Sequence, residues 1–144
     1  MKRLGVDLGD RRVGIAVHEE EGVPARPLET VTLVNASDAV RDVAAVVQRE
    51  APAEVVVGLP LNMDGSEGSK ARAARRFAVS LRRAVKVPVE LWDERLTTVE
   101  AQRARTASGR KGREGIDAHA AAILLQAYVD ARSGGGRWPD EHDP

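Results

Sequence analysis

The stretch that most narrows what this chain can fold into is LGVDLGDRRVGIAV, residues 4–17. Two alternating apolar segments, 3–9 and 12–18, flank the polar turn Gly9-Asp10-Arg11, the pattern of an antiparallel hairpin. A carboxylate, Asp7, sits in the middle of the first segment. Strand interiors are poor in Asp, and a charge buried there costs several kcal/mol unless something pairs with it. Alternation puts Leu4, Val6 and Leu8 on one face and Gly5, Asp7 and Gly9 on the other. In the second segment Val13, Ile15 and Val17 oppose Gly14, Ala16 and His18. If the apolar sets share a face, Asp7 stands among very small side chains, with room for a hydrated metal or a phosphate. A local pairing with Arg11 or Arg12 is the competing explanation; burial within a strand weighs toward the functional one. Asp10 lies in the turn, where Asp is favoured for turn chemistry.

Downstream, PLETVTLV (27–34) predicts a third strand. Asn35-Ala-Ser37 then offers a cap for a helix carrying Val40, Val43, Val46 and Val47 on one stripe. EVVVGLP (54–60) is a continuous apolar run, the pattern of a strand buried on both faces. LNMDGSEG is a loop in which Ser66 or Ser69 could cap a long helix over 69–85. VPVELWDE (87–94) predicts a fifth strand, and TTVEAQRARTA a further helix. SGRKGREG (108–115) reads as a basic flexible loop. The last helix spans 116–133, with Ile123, Leu124, Ala127 and Tyr128 on one side, and 134–144 reads as a disordered acidic tail. The order β-β-β-α-β-α-β-α-α predicts one α/β domain over 1–133: a five-stranded mixed sheet flanked by helices, the first strand central.

The 144 residues include no cysteine, which excludes disulfides, thiolate zinc sites and cysteine nucleophiles. No apolar run approaches a membrane span and no apolar signal core precedes the first strand, so a cytoplasmic protein with no membrane partner is expected. The formal net charge of zero conceals a polarised chain. Residues 67–113 hold thirteen Lys or Arg against five Asp or Glu, a local net of +8. Such a surface can attract a polyanion, although solvated helix faces give the same pattern.

One carboxylate binds Mg²⁺ or Mn²⁺ poorly; these hard ions need several oxygen ligands brought together. Asp93 and Glu94 close the fifth strand, and Asp117 opens the last helix. Singly, each has an ordinary structural reading: a strand-end ion pair with Arg95, or an acid offsetting a helix dipole.

Taken together, VDLGDRRVGIAV, VVVGLPLNMDGSEG, DERLTTVEA and GIDAHAAAILL resemble, in order and spacing, the YqgF/RuvX family of RNase H-like nucleases. The resemblance runs from residue 3 to about 130. It implies an RNase H-like fold and activity in 5′-end maturation of pre-16S ribosomal RNA, in Holliday-junction resolution, or in both. It implies a three-carboxylate metal site and catalytic centre: Asp7, an acid of the DER block, and Asp117. Glu94 is preferred to Asp93 because its longer side chain can reach across from a flanking strand. Asp7 would bridge two Mg²⁺ or Mn²⁺ ions, with Glu94 and Asp117 each completing one coordination sphere. Two-metal hydrolysis of this kind leaves 5′-phosphate ends.

Phosphate contacts are expected from Lys70, Arg72, Arg75, Arg76, Arg95, Arg110, Lys111 and Arg113. Aromatic residues make up 3% of the chain, which disfavours a base-stacking platform and favours recognition of backbone shape. Asn62, Ser66, Asp93 and His119 are candidate accessory residues. The expected partner is nucleic acid, pre-rRNA or branched DNA; a two-fold junction would suit a homodimer. Two other functions compete. An ATP-binding, actin-like protein shares the hairpin but needs a second domain and further motifs. A non-catalytic nucleic-acid-binding module would not need all three acids.

Overall fold

In the computed structural model, residues 1–97 and 113–133 are described, with side chains from Asp117 onward in the last helix. Five strands form one sheet: β1 Arg3–Leu8, β2 Arg12–His18, β3 Arg26–Thr32, β4 Glu54–Leu59 and β5 Val89–Asp93. Their order across the sheet is β3-β2-β1-β4-β5, so the first strand is central as its position in the chain predicts. β1 pairs antiparallel with β2 and parallel with β4, β2 pairs antiparallel with β3, and β4 pairs parallel with β5. A Gly9 N–H to Arg12 carbonyl bond of 2.9 Å closes the hairpin turn.

Among the described residues three α-helices cover the sheet: α1 Ala39–Glu50, α2 Ser69–Ala84 and α3 Arg113–Arg132. On one face Leu4, Val6, Val13, Ile15 and Val17 meet Val43 and Val47 of α1 and Phe77 and Leu81 of α2. On the other face Ala16, Val56 and Trp92 meet Ala121, Leu125 and Tyr128 of α3. Val55, Val56 and Val57 are wholly buried, which explains why β4 has no polar alternation. Tyr128 packs edge-on against Trp92 at 5.4 Å between ring centres. Its hydroxyl donates to Glu54, which is also paired with Arg3.

Several local expectations change. Asn35 and Ser37 do not cap α1; a 3₁₀ turn, Ala36–Asp38, leads into it, and neither Asn35 nor Asp38 makes a side-chain cap bond. Gly68, not a serine, is the N-cap of α2. Ser66 is occupied within the preceding loop, where its N–H and hydroxyl both donate to Asp64. The last helix begins at Arg113, inside the stretch read as a flexible loop. Its buried stripe is Ala118, Ala121, Ala122, Leu124, Leu125, Tyr128 and Val129, while Ile123 and Ala127 are half-buried. The expected helix after Thr97, most of the 108–115 loop and the tail at 134–144 lie outside the described residues. No described helix is long and apolar enough to cross a membrane.

Candidate active site

Asp7 sits near the end of the central strand, with a glycine beside it on each neighbouring strand. Gly14 is its register partner on β2. On the other side, Gly58 follows Val57, the residue of β4 that pairs with Val6. Both glycines face α3 and both are filled by something else. A Cβ on Gly14 would strike the main-chain carbonyl of Asp117, and one on Gly58 would strike Oε2 of Glu94. The same holds for Gly5, where a Cβ would lie 2.8 Å from Cβ of Leu125 and 3.1 Å from the Ala121 carbonyl oxygen.

These contacts revise the expectation that small residues around Asp7 clear space for a metal and a phosphodiester. Gly5, Gly14 and Ala16 admit the backbone of α3, and Gly58 admits a carboxylate. Small side chains let the helix ride close to the sheet, which carries Asp117 to the strand next to Asp7.

Glu94 is the first residue of a 3₁₀ turn, Glu94–Leu96, that follows β5. Its side chain crosses β4 at Gly58 and hydrogen-bonds with Asp7. Two carboxyl groups can share such a bond when one is protonated. Desolvation, reinforced by the Asp7 charge and this bond, pushes the Glu94 carboxyl up to about 7.

Asp93, the other candidate for the middle acid, points elsewhere. It caps the 3₁₀ turn by accepting the Arg95 N–H at 2.9 Å and pairs with the Arg95 guanidinium at 2.8 Å. Hydrogen bonding from Arg95 holds its carboxyl below the usual range. Arg95 also donates to the Met63 carbonyl at 3.1 Å, tying β5 to the 61–66 loop. Thus Arg95, expected at phosphate, serves here as a clamp. Asn62 and Ser66 bond each other at 2.9 Å inside that loop.

Asp117 is bonded to an arginine: its Oδ2 accepts from Nε of Arg12 at 2.8 Å. Both partners are partly exposed, at 43% and 29%, so the pair contributes about 0–1 kcal/mol. Among the described residues no three His, Cys, Asp or Glu side chains are placed to hold a metal ion together. The structure therefore brings two of the three expected acids into contact and leaves the third one strand away, held by an arginine. His119 lies half-buried beside a groove lined by His18, Ile123 and Gln126.

Lys70, Arg72, Arg75 and Arg76 are all exposed on α2. Arg75 is engaged by Glu67 at 3.0 Å, and Arg72 donates to the Glu67 carbonyl at 2.9 Å. Arg76 borders a groove of about 460 Å³ that runs to Leu8, Gly9 and Asp10 in the turn beside Asp7. Arg110 and Lys111 lie outside the described residues, and Arg113 is described in its backbone alone. Gly58 and Arg12 were missed as site residues. A glycine inside an apolar strand was the available signal for the first, and the place of Arg12 two residues before Gly14, on the same strand face, for the second.

The sheet order and the helices on its two faces are those of the RNase H-like resolvases. The chain superposes on Thermus thermophilus RuvC bound to a Holliday junction, with a TM-score of 0.61 at 24% identity over 93% of this chain and 97% of that one. It also superposes on the fowlpox virus Holliday junction resolvase, with a TM-score of 0.54 at 12% identity over 91% and 99%. Residues 1–131 match the family described as "RuvX: Holliday junction resolvase", and the chain belongs to that family of nucleases. A protein named "Putative pre-16S rRNA nuclease" from Anaeromyxobacter sp. (strain K) is 47% identical over 92% of this chain and 99% of its own. Relatives of the same name from Geobacillus kaustophilus and Streptomyces coelicolor are 40% and 43% identical, over 92% and 97% of this chain and 99% and 86% of theirs.

Proposed function

We propose that this nuclease uses divalent metal to hydrolyse phosphodiester bonds in structured nucleic acid, with the 5′ end of pre-16S ribosomal RNA as its substrate in the cytoplasm. The observation that carries the reading is the Asp7–Glu94 pair: two carboxyl groups held together over Gly58, one of them pushed up to about 7. Repulsion between like charges in a partly desolvated site is what a divalent cation relieves. The donor set therefore fits Mg²⁺ or Mn²⁺, and Asp7, Glu94 and Asp117 would hold it. Bound there, such a metal supplies a water of lowered pKa and neutralises charge on the departing 3′-oxygen, consistent with 5′-phosphate products.

The chain's own groups do the rest. Glu94 gives up its proton when the site is loaded, so metal affinity rises with pH through the range near 7. Arg76 and its neighbours on α2 receive backbone phosphates along the groove that ends at the β1–β2 turn. The names of the relatives favour ribosomal RNA, while the family description favours a four-way junction. On a junction, two-fold symmetry would call for a homodimer with two active sites.

The test is cleavage of a labelled pre-16S 5′ leader, a single-stranded RNA and a four-way DNA junction, with Mg²⁺ or Mn²⁺. Wild type is expected to cut the leader, and Asp7→Asn to lose at least 10³-fold in rate, on the order of a removed electrostatic contact or more. Binding without cleavage of any of the three by wild type overturns the enzyme reading and leaves a binding module. Cleavage of the junction alone moves the assignment to branched DNA.

A further inference from the structure

Arg12 is the unexplained member of the site. It opens β2, two residues before Gly14, and its guanidinium pairs with Asp117, the third acid of the expected trio. The main chain of Asp117 already lies against Gly14, the cross-strand partner of Asp7. Its carboxylate is bonded to Arg12 there, and among the described residues it forms no metal-holding group with Asp7 and Glu94. The contact is partly exposed on both sides, so solvent screens it and a better anion can replace it. A phosphodiester is such an anion, because a guanidinium binds phosphate oxygens in a bidentate fork.

We propose that Arg12 is a positioning residue that exchanges Asp117 for a substrate phosphate, so that nucleic-acid binding frees the third carboxylate and completes the metal site. Without substrate, Arg12 holds Asp117 and the metal has two carboxylates to bind, Asp7 and Glu94. With a strand in the groove, Arg12 turns to its phosphate and Asp117 joins the pair. Metal and nucleic acid then bind with positive coupling, and the coupling is reciprocal by linkage. The device confines full metal loading, and with it hydrolytic power, to the substrate-bound enzyme. The inference rests on the metal-dependent reading above.

The experiment measures Mn²⁺ affinity by electron paramagnetic resonance, with and without a leader RNA whose linkages carry a methylene in place of the bridging 3′-oxygen, charged phosphonates that cannot be hydrolysed at that bond. RNA affinity is measured across a salt series without divalent metal. Wild type, Arg12→Ala, Arg12→Lys and Asp7→Asn are compared, with thermal unfolding as a check on folding. Expected for wild type is Mn²⁺ binding that tightens about tenfold with RNA, within the usual range of site-to-site coupling. Arg12→Ala is expected to bind Mn²⁺ several-fold more tightly than wild type when RNA is absent, to lose the tightening, and to lower the salt slope of RNA binding by about one. Arg12→Lys should retain part of the slope, having a charge but no fork.

The proposal is overturned if Arg12→Ala binds Mn²⁺ no better than wild type without RNA, or if wild-type affinity ignores RNA. If Asp7→Asn abolishes Mn²⁺ binding while Arg12→Ala behaves as wild type, the latch fails and the metal reading stands. If Asp7→Asn leaves Mn²⁺ binding intact, the metal reading itself fails.

Discussion

Glu94 has its ordinary carboxylate pKa in an unfolded chain and about 7 in the folded one. Between those values the folded state binds the proton that the unfolded state has lost, so this group's contribution to stability falls as pH rises from about 4.5 to about 7. Above that range the metal-free protein carries two charged carboxylates in one site. Glu94→Gln is therefore expected to raise Tm at pH 8 by roughly 2–6 °C in chelator and to change it little at pH 4. Scanning calorimetry at the two pH values checks this; equal shifts at both would mean that the Glu94 charge is not the cause. Loss of the nuclease activity in the same variant would show that a stabilising change has removed a working group, the trade expected at an active site.

At the scale of elements, the decisive contact is α3 on β1 and β2. Helix and sheet approach closely because Gly5, Gly14 and Ala16 present almost no side chain there. Gly14→Ala places a methyl group against the Asp117 carbonyl, so the start of α3 must lift. Overpacking of this kind costs about 1–3 kcal/mol. It also moves Asp117, and a displacement near 1 Å can cost about 10²-fold in rate. Urea unfolding and cleavage assays on this variant should show both losses, whereas Gly22→Ala, at a loop position with φ of 84° and no neighbour within 4 Å, should lose stability through backbone strain alone and keep its activity. The other fixed element is the 61–66 loop, held to β5 by Arg95 through Asp93 and the Met63 carbonyl.

Across the whole molecule, exposed arginines on α2 are the basic surface among the described residues that bears on the proposed substrate. These arginines lie on the sheet face opposite Asp7 and Glu94, and the groove beside Arg76 reaches the β1–β2 turn at the end of the sheet where both carboxylates lie. Phosphate contacts of this kind bind without reading sequence and are strongly salt-dependent. Arg76→Ala is expected to weaken binding of unrelated RNAs by similar factors and to lower the slope of log affinity against log salt by about one. Filter binding over a salt series tests this; a loss confined to one sequence would mean that Arg76 reads a base.

The amino-acid sequence determined the hairpin, the central place of β1, the buried β4 and the oddity of Asp7, because each leaves a local mark: alternation, an apolar run, or a charge where charge is costly. The preference for Glu94 over Asp93 also followed from side-chain length, and Glu94 is the one that reaches Asp7. Tertiary structure decided the rest. Whether a glycine makes room for a ligand, a helix or a side chain depends on what arrives from tens of residues away. Gly14 receives Asp117 and Gly58 receives Glu94, neither adjacent to it in the chain. The pairing of Arg12 with Asp117 spans 105 residues. Alternation puts Arg12, and not Arg11, on the face of Gly14, but only the approach of α3 gives it a carboxylate to hold.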